Sequence, residues 1–174
     1  MEIIIREAVT KEDYGKIARL AEVIWDEHYS SIISKAQIDY MVEKFQSTAA
    51  IEISIENEAY TYLLAEADGA AVAYAGATLS SRNDTPMIFL SKIYVARDYR
   101  GMGIAKRGFK MLCEKFGTDL AYLTVNKNNI ISIAAYRKLG FEITESVVAD
   151  IGGGFVMDDY IMERFPNPRT RGLS

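Results

Sequence analysis

The chain has 174 residues, 49% of them hydrophobic and 25% charged, with a net charge of −4 and a pI near 5.1. That length fits one domain with a core large enough to need no disulfide or metal staple. The acidic balance excludes the basic footprint of a nucleic-acid-binding protein, and no apolar run approaches the ~20 residues that cross a bilayer.

One cysteine, Cys113, and one histidine, His28, leave no intramolecular disulfide and too few ligands for a zinc site. Cys113 falls in a helical pattern and reads as a small buried hydrophobe rather than a catalytic thiol. The N-terminus lacks a basic segment followed by a long apolar one, so no signal peptide is expected and a reducing cytoplasm is the default compartment.

Taken in chain order, Ile3, Ile4 and Ile5 predict a strand within residues 1–8. Thr10-Lys11-Glu12-Asp13 reads as a helix start, because a threonine hydroxyl can accept from an unpaired N–H three residues on. Ile17, Leu20, Ala21, Ile24 and Trp25 then follow at helical spacing. Ser34-Lys35-Ala36-Gln37 repeats the capping signature ahead of Ile38, Met41, Val42 and Phe45. In residues 49–58, Ile51, Ile53 and Ile55 alternate as in a strand, yet Ile51 and Ile55 also share a helix face; helix is the preferred assignment.

Residues 60–66 are rich in strand formers. Asp68-Gly69 signals a hairpin, and residues 71–79 form the return strand. A polar loop is expected over 80–86, then a strongly apolar strand over 87–95. Arg100-Gly101-Met102-Gly103 next opens a helix that places Ile104, Gly108, Met111 and Leu112 on one face. A buried strand is predicted over 120–125 and a short helix over 131–139, stopped by Gly140. Two last strands, 141–148 and 155–162, flank Gly152-Gly153-Gly154. The expected product is one mixed α/β domain over 1–165 with a frayed tail over 166–174.

The glycine turn carries the first chemical signal. The start of a helix has unpaired N–H groups and the positive end of the macrodipole, and glycines let an anion approach that backbone closely. Arg100, Lys106 and Arg107 add positive charge. The turn reads as a pyrophosphate cradle or as a tight strand-to-helix turn without ligand. It is not a P-loop, because no Lys-Ser or Lys-Thr follows, and it lacks the dinucleotide glycine spacing.

A second element stands downstream. Asn129 is followed seven residues on by Tyr136, then by Lys138-Leu139-Gly140-Phe141. With Arg100, Gly103 and Ala105, this pair of motifs resembles the GNAT acetyltransferase superfamily. Ile5-Arg6-x-Ala8 with Asp13 and the strand ending Ile93-Tyr94-Val95 are also similar, so the resemblance covers nearly the whole domain. The entry Trp25-x-x-x-Tyr29-x-x-Ile32-Ile33-Ser34 and the ending Gly154-x-x-Met157-x-x-Tyr160-x-Met162 are similar to the PaiA branch, which includes polyamine acetyltransferases.

The resemblance implies a GNAT fold: a mixed sheet of about seven strands, an antiparallel meander and then a splayed parallel pair, flanked by helices. It implies acetyl-CoA as cosubstrate and no metal. The pantetheine arm would pair with the strand backbone at Ile93, Tyr94 and Val95. Arg100, Gly101, Met102, Gly103, Ile104, Ala105 and Lys106 would hold the pyrophosphate, and Asn129 would contact the cofactor. Lys138 reads as a solvated helix charge rather than a phosphate ligand.

By the same resemblance, an N–H near Ile93 or Tyr94 polarises the thioester oxygen and Tyr136 protonates the leaving sulfur. Trp25, His28 and Tyr29 border the acceptor, an amine on a small molecule such as a polyamine, or on a peptide. No base stands out. Where relatives sometimes carry a carboxylate the chain reads Phe89-Leu90-Ser91-Lys92, leaving Glu66 and His28 as weak candidates and water as an alternative. A non-catalytic acyl-CoA sensor on the same fold, or a protein N-terminal or lysine acetyltransferase, stays open. No nucleic-acid or membrane partner is expected, and the oligomeric state is monomer or homodimer.

Overall fold

The computed structural model describes residues 1–165; the tail expected over 166–174 lies outside the described residues. The elements are β1 (Ile3–Glu7), α1 (Lys11–Tyr29), α2 (Lys35–Met41) running into a π-helical turn (Val42–Gln46), and α3 (Thr48–Glu58). Then come β2 (Thr61–Ala67), β3 (Ala70–Arg82), β4 (Thr85–Val95), a 3₁₀ turn (Arg97–Tyr99) and α4 (Ile104–Phe116). The chain continues with β5 (Ala121–Asn126), α5 (Ile130–Lys138), β6 (Phe141–Gly152) and β7 (Phe155–Arg164). The seven strands follow the order β1-β2-β3-β4-β5-β7-β6, as expected for a GNAT sheet.

The chain divides into two compact units. The first comprises Met1–Thr78 with Ser91–Leu112. Its β1, β2 and β3 form an antiparallel meander in which Ile5 faces Ala65 and Tyr62 faces Gly76. A side chain at Gly76 would meet the Tyr62 ring at 2.9 Å, so only a glycine lets that ring lie flat on β3. Thr10 caps α1 as its sequence predicts: its hydroxyl accepts from the Asp13 N–H at 3.1 Å, and the Asp13 carboxylate accepts from the Val9 and Thr10 N–H groups. Arg6 reaches the same carboxylate at 2.7 Å. These bonds, the Arg6 bond first, hold the Asp13 carboxyl far below the usual carboxylate range, and they explain the Arg6–Asp13 spacing of the opening motif.

The ambiguous residues 49–58 are helical. Ser47 caps α3 by accepting from the Ala50 N–H. Ile51 is fully buried and Ile55 half-buried, whereas Ile53 is 52% exposed. One helix face is covered, so the two-residue alternation of the isoleucines was incidental.

The second unit comprises Leu79–Leu90 with the described residues from Cys113 on. Here the parallel pair β4–β5 aligns Ile88 with Ala121 and Phe89 with Tyr122, while β7 runs antiparallel between β5 and β6. The expected loop over 80–86 is a correction: β3 runs to Arg82 and β4 starts at Thr85. Only Asn83 and Asp84 turn, both with positive φ (49° and 60°), which is the twist of a two-residue hairpin. Polar composition suggested a loop, but the polar side chains are used across the sheet. Ser80 accepts from the Tyr122 hydroxyl at 3.1 Å, and Arg82 donates to Glu145 and Glu163.

Candidate active site

The glycine turn stands at the head of α4 in the first unit. Gly101 and Gly103 take φ of 77° and 75°, and a Cβ built at either position would meet nothing within 4 Å. The backbone there faces open space, and Arg100, Gly101, Met102, Gly103 and Lys106 are exposed. Arg100 is partly committed, because its Nε donates to the Val95 carbonyl at 3.1 Å and ties the turn to the end of β4. Beside the turn lies a small open cleft, lined by Ile93, Tyr94 and Val95 of β4 and by Ile104, Ala105 and Gly108 of α4. Its floor is apolar: Ala65, Ala73 and Ile104 belong to one buried cluster, against which Val95 packs. The structure thus brings Ile93, Tyr94 and Val95 together with Ile104 and Ala105, two of the seven residues of the predicted cradle, at one cleft.

The aromatic residues singled out in α1 also meet β4. Trp25 stacks on Tyr29 with centroids 4.4 Å apart and lies 5.6 Å from Tyr94. The Tyr29 and Tyr94 hydroxyls share a hydrogen bond of 3.3 Å. His28, half-buried, stands edge-on to Tyr29 at 4.9 Å. Trp25 is 3% exposed and its Nε1 lacks a hydrogen-bond partner.

Glu66, one of the weak base candidates, is the wrong kind of carboxylate for that task. It accepts from Lys16 at 2.8 Å and from Arg6 at 3.2 Å, and these bonds, Lys16 first, hold its carboxyl below the usual range. A carboxylate stabilised in its charged form accepts a proton poorly.

Two ionisable groups escaped the sequence reading. Lys92 on β4 is buried, donates to the Phe45 carbonyl and to the Tyr62 hydroxyl, and lies over the Tyr62 ring at 5.2 Å. Burial brings its ammonium down to about 8. Asp159 on β7 is the other, in the second unit; burial, with Asp158 adjacent, raises its carboxyl to about 6. The available signals were a lysine inside an apolar strand and a second aspartate within a strand pattern.

Asn129 and Tyr136 also belong to the second unit. Asn129 is 2% exposed and caps α5, its side-chain oxygen accepting from the Ser132 N–H at 3.2 Å. Tyr136 is half-buried, edge-on to Phe141 at 6.1 Å. Lys138 is exposed near the end of α5. Cys113 is half-buried and burial pushes its thiol up, which suits a packing residue better than a nucleophile. Among the described residues no group of His, Cys, Asp and Glu is arranged to hold a metal, and no helix is long and apolar enough to cross a membrane.

Comparison with known proteins agrees with this geometry. An aminoglycoside N(6')-acetyltransferase type 1 from Salmonella typhimurium is 30% identical over 98 residues, 49% of this chain and 64% of that protein. An uncharacterised Mycobacterium leprae protein is 32% identical over 94 residues, 54% of this chain and 26% of its own length. The chain therefore spans between a quarter and just under two thirds of these curated relatives. In fold, it is similar to the PaiA N-acetyltransferase of Thermoplasma acidophilum solved with coenzyme A. That likeness has a TM-score of 0.75 and 22% identity over 94% of this chain and 99% of that one. A GCN5-related N-acetyltransferase from Rhodopseudomonas palustris gives a TM-score of 0.73 and 16% identity over 94% and 96% of the two chains. The Acetyltransferase (GNAT) family model matches residues 17–141, which include the cleft, the glycine turn, Asn129 and Tyr136, and the chain belongs to that family.

Proposed function

We propose that the protein is an N-acetyltransferase that moves an acetyl group from acetyl-CoA to a primary amine. The observation that carries this is the cleft along Ile93–Val95 that leads to an open glycine turn at a helix start. An extended arm beside a strand and a pyrophosphate at the helix N-terminus need these two features side by side. Bound there, acetyl-CoA supplies an activated thioester carbonyl.

The chain's residues do the rest. The turn from Arg100 to Lys106 holds the diphosphate through backbone N–H groups. The strand backbone at Ile93–Val95 aligns the arm, and an N–H at Ile93 or Tyr94 polarises the carbonyl oxygen. Tyr136 gives its proton to the departing sulfur; a phenol with a reference pKa near ~10 is a suitable donor to a thiolate. Asn129, by capping α5, fixes the helix that carries Tyr136. Trp25, His28 and Tyr29 border the acceptor, and His28 is the one of the three that is not buried. A small cationic amine is the acceptor supported best. The resemblance to the PaiA branch points to a polyamine, and the aminoglycoside acetyltransferase likeness points the same way.

Calorimetric titration with acetyl-CoA, CoA and dephospho-CoA tests the reading. One-site saturable binding is expected, followed by CoA release with spermidine, spermine, an aminoglycoside or peptide amines. No binding at millimolar acetyl-CoA would remove the enzyme reading.

A further inference from the structure

A hydrogen bond to a thioester oxygen speeds reaction only if its donor is already aimed when charge develops. The peptide that joins Lys92 to Ile93 carries the Ile93 N–H, and Ile93 lines the cleft. Lys92 and Tyr94 flank it on the other face of β4, as their contacts with Tyr62 and Tyr74, which share a face of β2 and β3, show. Both are held at their tips. The hydroxyls of Tyr94 and Tyr29 share a hydrogen bond of 3.3 Å. The Lys92 ammonium donates to the Phe45 carbonyl and, at 2.7 Å, to the Tyr62 hydroxyl. All of these residues belong to the first unit.

Phe45 is where the helical layer offers an acceptor. α2 runs into the π-helical turn Val42–Gln46, which ends as Ser47 becomes extended, with ψ of 159°. The last carbonyls of a helix have no donor within it and carry the negative end of its dipole. A cation reaching up from β4 answers both. Gln46, the next residue and 3% exposed, accepts from the Tyr74 hydroxyl of β3 at 3.0 Å. The Tyr74 ring packs 5.4 Å from that of Tyr94. The contacts therefore run from Lys92 up to Phe45 and Gln46, down to Tyr74 and back to β4 on the far side of Ile93.

The Lys92 tie is costly. Its acceptors are a carbonyl and a hydroxyl, and burial lowers the ammonium to about 8, with the exposed Glu58 acting weakly the other way. A methionine of similar length would fill the space without burying a charge. Packing alone does not call for the amine, whereas a fixed β4 does.

We propose that Lys92 is a positioning residue for acetyl transfer, fixing the β4 backbone so that the Ile93 N–H stays aimed at the thioester oxygen. The role rests on the acetyl-transfer reading. In it Lys92 touches neither cosubstrate nor acceptor and acts through the strand. Tyr94 pins the strand on one side of Ile93 and Lys92 on the other, and a peptide between two pinned residues turns less freely. The glycine turn and the rest of the strand supply the affinity for acetyl-CoA, so a looser peptide lowers turnover and not binding.

The test is Lys92→Met in the full chain, which keeps the length and loses both bonds. Lys92→Arg is the rescue, since a guanidinium can still donate to both acceptors. Infrared difference spectra of bound acetyl-CoA, isotope-labelled at the carbonyl, read the contact without any acceptor amine. Wild type should lower the carbonyl stretching frequency relative to free acetyl-CoA. Lys92→Met should lose most of that shift while calorimetry gives acetyl-CoA affinity within about twofold of wild type, and Lys92→Arg should regain it. With spermidine or kanamycin, kcat of Lys92→Met should fall about tenfold while KM for acetyl-CoA holds. Should Lys92→Met not fold, Tyr62→Phe takes one acceptor from the same ammonium, and part of the shift should go with it.

A folded Lys92→Met, or in its place Tyr62→Phe, that keeps the full wild-type shift overturns the role. So does a Lys92→Met whose affinity falls in step with its shift, a Lys92→Arg no better than Lys92→Met, or a wild type that binds acetyl-CoA without any shift. Wild-type protein that binds no acetyl-CoA overturns the transfer reading itself.

Discussion

Lys92 in the first unit and Asp159 in the second are equally buried, each 8% exposed, and they are housed in opposite ways. Lys92 has the Phe45 carbonyl and the Tyr62 hydroxyl as acceptors and a ring beneath it. Asp159 has an oxygen with no donor. The contrast extends to the rest of each unit. In the first, Asp13 and Glu66 are fully engaged by Arg6, Lys16 and backbone N–H groups, and the parts proposed to hold the cosubstrate are backbone, a strand and a glycine turn. In the second, the proposed proton donor is a side chain, Tyr136. A satisfied buried charge specifies packing, whereas an unsatisfied one is a cost that the fold carries. The proposed function thus rests on backbone in the first unit and on a side chain in the second.

This division can be broken by variants that separate affinity from turnover. The largest effect belongs to Gly103→Val. At φ of 75° a β-branched residue is strained by about 1–2 kcal/mol, and its side chain would enter the open space there. Acetyl-CoA affinity should drop at least about 100-fold while circular dichroism shows a folded protein. Next comes Tyr136→Phe, which removes one proton and little volume. Turnover should fall by about 10- to 100-fold, with acetyl-CoA affinity within about twofold by calorimetry. If Tyr136→Phe weakens binding as much as Gly103→Val does, the second unit also holds the cosubstrate and the contrast fails.

The sequence made most of this architecture legible, because its signals are local. Thr10 and Asp13, Ser34, Asp68-Gly69 and Gly140 each end or begin an element through their own backbone chemistry. The glycine turn at the head of α4 was legible for the same reason, since a glycine pair and a following helix are contiguous. What could not be read depends on contacts distant in sequence. The strand through Ser80-Ser81-Arg82 is polar because its partners are Tyr122, Glu145 and Glu163. The state of Lys92 depends on Phe45 and Tyr62, and that of Asp159 on the absence of any donor across two neighbouring strands. The local signals, a lysine inside an apolar strand and a second aspartate beside Asp158, do not by themselves give either state.

The smallest expected effect tests the contrast without any substrate. Lys92 has an ordinary value of 10.5 and sits at about 8 in the fold, lowered by burial. Between those limits the unfolded chain binds more protons at this group than the folded chain does, so stability should rise as pH increases from about 8 to 10.5. Asp159 is raised from 3.8 to about 6, chiefly by burial. There the folded chain binds more protons, and stability should fall as pH increases through that window. Summed across its window, each change amounts to on the order of 3 kcal/mol. Denaturant unfolding of wild type, Lys92→Met and Asp159→Asn across both windows reads them as differences, which cancels contributions shared by all three proteins. Lys92→Met also strips a donor from Tyr62 and Phe45 and shifts the overall level, so the slope carries the result. An Asp159→Asn protein that keeps the wild-type slope in the acid window would mean that the Asp159 carboxyl is already answered in the folded state. The contrast between the two buried charges would go with it.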